Sequence, residues 1–265
     1  MSWFAEQSVV LQAFLAGLFT WTCTIIGSGI VFFFKNVSRK LLDTMQGFAA
    51  GVMIAASFWS LLAPSISYAE PIYGSWSWVP AAVGFLLGGY FLRFIDAIIP
   101  HLHLGHDIAK AEGGSKEERK KLSKTALLFL AITIHNIPEG LAVGVTFGAL
   151  ANNFSQAAYV GALGLALGIG LQNIPEGSAL SIPIRTDGKT RQQAFFWGAM
   201  SAIVEPIAAV IGAVAVIYMT PILPYALSFA AGAMMFVVVE ELIPESQTNG
   251  NTDRATLGLM MGFVI

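Results

Sequence analysis

Apolar residues recur along the chain in runs of about 20, the length a helix rising about 1.5 Å per residue needs to cross the hydrocarbon of a bilayer. Interrupted by polar or Pro/Gly clusters, these runs predict helices near residues 8–34, 41–63, 76–99, 125–150, 156–182, 192–218 and 221–243, with an eighth starting near Thr252. The eighth is expected to be incomplete, since the 11 residues from Ala255 to Ile265 cannot cross unless the natural chain runs on or the helix is half inserted. The expected fold is all-α, a polytopic membrane helix bundle forming one transmembrane unit over residues 1–265. A single loop of any length, residues 100–124, separates the third and fourth spans, and its stretch from Glu112 to Lys121 reads as mobile. Met1 to Glu6 carries no basic segment, so no cleaved signal peptide is expected.

Charge adds an orientation. Only 11% of residues are charged, against roughly a quarter in soluble domains, which excludes an ordinary water-soluble fold. Lys35, Arg39 and Lys40 fall in the first loop, Lys110, Lys116, Arg119, Lys120, Lys121 and Lys124 in the third, Arg185, Lys189 and Arg191 in the fifth, and Arg254 in the seventh. Arg93 can snorkel to the same side. Cytoplasmic loops retain Lys and Arg, so the odd-numbered loops are cytoplasmic and both termini lie outside. A net charge of −2 without a basic patch argues against nucleic acid as a partner. Cys23, alone, can form neither an internal disulfide nor a cysteine-based zinc site.

The polar residues inside the spans carry the chemistry. A charged side chain at the bilayer centre costs about 2.5–3.5 kcal/mol on insertion scales, so each one needs a reason. Glu139, Glu176 and Glu205 lie well inside predicted helices, and the first two belong to a repeated element, His135-Asn136-Ile137-Pro138-Glu139-Gly140 and Gln172-Asn173-Ile174-Pro175-Glu176-Gly177. Residues four apart share a helix face, pairing His135 with Glu139 and Gln172 with Glu176. Pro138 and Pro175 free the carbonyls of Ile134 and Leu171 and predict kinks, and freed carbonyls inside lipid need another helix, water or an ion. No Lys or Arg neutralises these acids, so the natural counter-charge is a divalent cation. Imidazole beside carboxylates favours zinc or another first-row ion over magnesium or calcium.

These two elements, the eight predicted spans, the outside termini and the histidines of the third loop resemble the ZIP (Zrt/Irt-like) divalent metal transporters. The stretch from Gly47 to Pro64 resembles their GufA-type branch. The resemblance covers essentially the whole chain. It implies a 3+2+3 arrangement in which the first and last three spans form an inverted repeat, as in many secondary transporters, with the site on helices 4 and 5. It also implies transport of zinc, or of Cd2+, Fe2+, Mn2+ or Cu2+, towards the cytoplasm, a homodimer, and a place in a bacterial inner or plasma membrane. By matching positions, one metal position would use His135, Glu139, Gln172, Glu176 and Met53. A neighbouring one would use Asn136, Glu139, Asn173, Glu176 and Glu205. Where other members carry Asp this chain has Asn173, which leaves three carboxylates against the four charges of two divalent ions, so the second position is expected to be weak or empty.

On the cytoplasmic side Asp96, His101, His103 and His106 resemble the family's His-bearing loop and are candidates for an exit path, which Glu240 and Glu241 would complete. On the outer side Glu70, Trp76 and Trp78 read as an interface belt, and Ser57 and Ser60 are read mainly as interhelical hydrogen-bonding groups. Gly47 with Gly51, and Gly161, Gly164 and Gly168, read as sites of close helix approach.

Two other classes compete. An intramembrane metalloenzyme of the His-Glu-x-x-His type would need a Glu beside the first His and a second His. Here Asn136 follows His135 and no second His is present, and Gly27-Ser28-Gly29 has no histidine placed to serve it, so no enzyme is expected. A metal sensor without transport is the remaining alternative. A retinal protein is excluded because no lysine lies within a span for a Schiff base.

Overall fold

The computed structural model describes all residues except 1, 35–36, 104–107 and 153. Lys35 and His106, both singled out above, lie outside the described residues.

Among the described residues, seven helices are long and apolar enough to cross a membrane: α1 (Val9–Phe32), α2 (Arg39–Trp76), α3 (Trp78–Ile98), α4 (Lys124–Ala149), α5 (Gln156–Thr186), α6 (Arg191–Tyr218) and α7 (Leu223–Gln247). An eighth, α8 (Thr252–Val264), has 13 residues and reaches about 20 Å, short of the roughly 30 Å of hydrocarbon. Hydroxyl side chains start five of these helices, with Ser8, Ser38, Ser123, Ser155 and Thr190 each accepting a hydrogen bond from a backbone N–H in the first turn. Such caps satisfy donors the helix itself leaves open.

The helices pack in pairs: α1 against α5, α6 against α4, α8 along α2, and α7 against α3. Glycines set these approaches. At Gly27 on α1 a β-carbon would collide with the carbonyl of Ile174, at Gly47 and Gly51 on α2 with Ala255 and Leu259 of α8, and at Gly88 on α3 with Phe229 of α7. Without a hydrophobic drive between helices in lipid, this backbone contact supplies the packing energy. Large apolar side chains point outward instead, as Leu86, Tyr90 and Phe94 do on α3.

Gly161 and Gly164 depart from the expectation of close approach. A β-carbon at either would meet nothing within 4 Å, and one at Gly168 would only touch Val52 at 3.4 Å. The third loop also differs from a shapeless segment. Lys116–Lys121 is helical, begun by a capping box between Ser115 and Glu118, and Arg119 donates to the carbonyls of Gly113 and Gly114 at 2.7 and 2.9 Å.

Three breaks in regular helix bear on the interior. α2 widens into a π-helical stretch over Ala56–Leu62 and α7 into another over Val238–Leu242. α6 is interrupted by turns at residues 201–203, so that its second half, Val204–Tyr218, begins anew with Glu205 in its first turn. A helix N-terminus favours negative charge, and a proline next to that start, Pro206, gives up an N–H that would have had no partner anyway.

Candidate metal centre

The five residues of the first metal position line one cavity. His135 and Glu139 come from α4, Gln172 and Glu176 from α5 and Met53 from α2. Helical spacing explains the convergence, since His135 with Glu139 and Gln172 with Glu176 are each one turn apart and face the same side. Met53, His135, Glu139 and Gln172 are buried.

Asn136, Asn173 and Glu205 of the second position are also fully buried but do not line this cavity. Asn173 is occupied as a donor: its amide nitrogen donates to the Glu205 carboxylate at 2.8 Å and to the Thr20 carbonyl at 3.1 Å. Two acceptors face one end of the amide, which forces that end to be the NH2 group. Its oxygen accepts from Gln172 at 3.2 Å. By contrast Asn136 has no hydrogen-bond partner at either amide atom, and neither do Glu139 Oε2, Glu176 Oε1 and Glu205 Oε2. A buried polar atom without a partner costs about 1–3 kcal/mol, and three carboxylate oxygens in that condition are a chemistry suited to a cation.

The same cavity continues past this set to Gln46, Glu241 and Glu245. Glu241 joins two elements the sequence keeps far apart. One of its oxygens lies 2.7 Å from His135 Nε2 and the other 3.2 Å from His103 Nδ1. In the neutral tautomer, donation from Nε2 leaves Nδ1 as the lone-pair nitrogen of His135. Glu240, its neighbour, is exposed.

His101 is fully buried and both its ring nitrogens are used. Nδ1 meets the Ile99 carbonyl at 2.8 Å and Nε2 the Asp96 carboxylate at 2.9 Å. Both neighbours are acceptors, so the arrangement favours the doubly protonated ring; burial alone would lower its pKa, but these partners hold it above the ordinary value. Backbone hydrogen bonds between His101 and Glu112, 3.0 Å in each direction, fold the loop onto this latch. Glu112, which the sequence did not single out, also brings a ligand atom within 4.8 Å of those of His101 and His103.

The His103 tether sets a pH prediction. The hydrogen bond to Glu241, outweighing burial, raises the His103 pKa to about 9, above an unfolded value of about 6.5. A raised folded value means the tether is complete below about 6.5 and is lost as pH climbs through about 9. Amide hydrogen exchange of residues 99–103, corrected for intrinsic rates, is expected to lose protection across that window in the wild type. A flat profile in the wild type, matching that of His103→Gln, refutes it.

An apolar helix bundle whose inner cavity gathers carboxylates, an imidazole, an amide and a thioether defines an integral membrane protein with a cavity whose donors suit a divalent cation. Comparison with known proteins narrows this class. The profile of the ZIP zinc transporter family matches residues 108–265. Zinc transporter ZIP11 of Homo sapiens is 40% identical over 98% of this chain and 96% of its own length. Zinc transporter GufA of Myxococcus xanthus is 38% identical over 95% and 94%, and zinc transporter ZIPB of Bordetella bronchiseptica 33% over 96% and 78%. The chain belongs to the ZIP zinc transporter family, a family of transporters rather than enzymes.

Proposed function

We propose that this chain carries zinc towards the cytoplasm through the cavity between α4, α5, α2 and α7, binding it with His135, Glu139, Gln172, Glu176 and Met53. The observation that carries the reading is the gathering of all five in one cavity. Cd2+, Fe2+, Mn2+ and Cu2+ are competing cargo, since ligand type alone does not separate them. The 3+2+3 inverted repeat is supported by the packing pairs. Exchanging α1–α3 with α6–α8, and α4 with α5, maps the α1–α5 pair onto α6–α4 and the α2–α8 pair onto α7–α3. The π-helical stretches of α2 and α7 also correspond, each followed by a proline, Pro64 and Pro244. The positive loops support an orientation with Gln46, Glu245 and the third loop at the cytoplasmic end and both termini outside, and the membrane in this reading is a bacterial inner or plasma membrane.

The second position is weak in this reading, and the donated hydrogen bonds of Asn173 give the physical reason. Its NH2 group occupies Glu205 in the way a cation would. Zinc titration of the purified protein is expected to show one tight ion per chain, and Asn173→Asp to add a second tight one, because the substitution removes the donor and supplies a carboxylate. Two tight ions in the wild type overturn this part. Transport itself is tested by uptake of labelled zinc into proteoliposomes, with and without an imposed pH gradient. Wild-type vesicles that bind zinc but move none favour a sensor.

A further inference from the structure

The lower half of the cavity has donors that neither the repeated elements nor the third loop account for. Gln46 and Met53 both line the cavity from α2 and stand seven residues apart, about 10 Å along the helix axis. Facing Gln46 from α7 are Glu241 and Glu245, one turn apart and lining the same cavity. Gln46 is 6% exposed, and its Oε1 is buried without a hydrogen-bond partner. An amide oxygen that accepts from no donor and lines one cavity with two carboxylates makes a group of oxygen donors, and such a group fits a divalent cation held loosely.

Neighbouring charges do not cancel this set. Arg39 faces Glu245, but its Nε is paired with Asp43 at 3.2 Å. Asp43 in turn accepts from Asn251 at 2.8 Å, which pins the loop before α8 to α2.

We propose that Gln46 and Glu245, with Glu241 above them, form a second, lower cation site, a way station that receives the divalent ion released from the His135 set before it enters the cytoplasm. The proposal rests on the transport reading and adds to it a site of oxygen donors, weaker than the upper one and about 10 Å from it.

The test pairs zinc titration of the purified protein with uptake of labelled zinc into proteoliposomes. Wild type is expected to show a weaker class of bound zinc besides the tight ion. Glu245→Gln should lose the weaker class, keep the tight one, and lower maximal uptake about fivefold at unchanged half-saturation, the signature of a step after binding. Moving the carboxylate across the cavity, with Gln46→Glu added to Glu245→Gln, should restore both. A merely structural role for Glu245 predicts no such rescue, and its absence, with both variants melting as the wild type does, overturns the proposal. Binding and uptake by Glu245→Gln equal to wild type overturn it as well and leave the transport reading intact. Wild-type vesicles that move no zinc overturn the transport reading instead, and the titration then decides the lower site alone.

Discussion

Glu139→Ala is expected to reduce zinc uptake into proteoliposomes to the level of protein-free vesicles. Glu139 is 1% exposed, lines the cavity with His135, Gln172, Glu176 and Met53, and has an oxygen with no hydrogen-bond partner. In the proposed site it serves both metal positions, so its loss removes one of their three carboxylates, Glu139, Glu176 and Glu205, and leaves the dication under-compensated in a medium where water cannot help. Breaking a buried ionic pair by removing one partner costs about 3–5 kcal/mol, which is roughly two to three and a half orders of magnitude in affinity. Glu139→Gln, which keeps shape and loses charge, is expected to fail almost as badly. If either variant retains a third of the wild-type rate at low zinc while melting normally, the site is placed wrongly.

The sequence made legible those parts of the fold that local chemistry dictates. Apolar run length predicts the seven long helices, and the His135-to-Gly140 and Gln172-to-Gly177 elements place four donors on two helix faces, where the structure also has them. Contacts between distant segments carry no such mark. Glu241 meets His135 because α7 packs beside α4, and only the third loop's fold onto Asp96 and Glu112 brings His103 to the same carboxylate. An i, i+4 pair of acids at the end of α7 could have been read as one face, but nothing in the sequence says that Gln46 stands opposite. The π-helical stretches are likewise silent, since a widened turn depends on what packs against it. Asn173 was legible as a missing charge. Its use as a donor to Glu205 and Thr20 needed the position of α1 and the break in α6.

The glycine pattern shows the same division, and it yields the prediction with the largest effect on folding. Gly144→Val is expected to prevent stable folding, whereas Gly164→Val is expected to leave it intact, although both residues sit in small-residue stretches of neighbouring helices. On α4, Gly140, Gly144 and Gly148 lie one turn apart and face Glu205, Ala209 and Ala213, equally spaced on α6. A β-carbon at Gly144 would collide with the Ala209 carbonyl, and backbone cannot swing aside as a side chain can, so the two helices must part. Such overpacking costs about 1–3 kcal/mol in ordinary cores and occasionally more; here a helix pair in contact over three turns must separate, which puts the cost at the upper end. The separation also moves Glu205, whose backbone rests on Gly140 beside Glu139, so any folded fraction should bind zinc poorly. At Gly164 a β-carbon meets open space beside the groove between α5, α2 and α8. Thermal unfolding in detergent, with zinc titration of whatever remains folded, separates the two. Equal stability of both variants would mean that the α4–α6 approach does not hold the bundle, and loss of folding by Gly164→Val would mean that the groove closes.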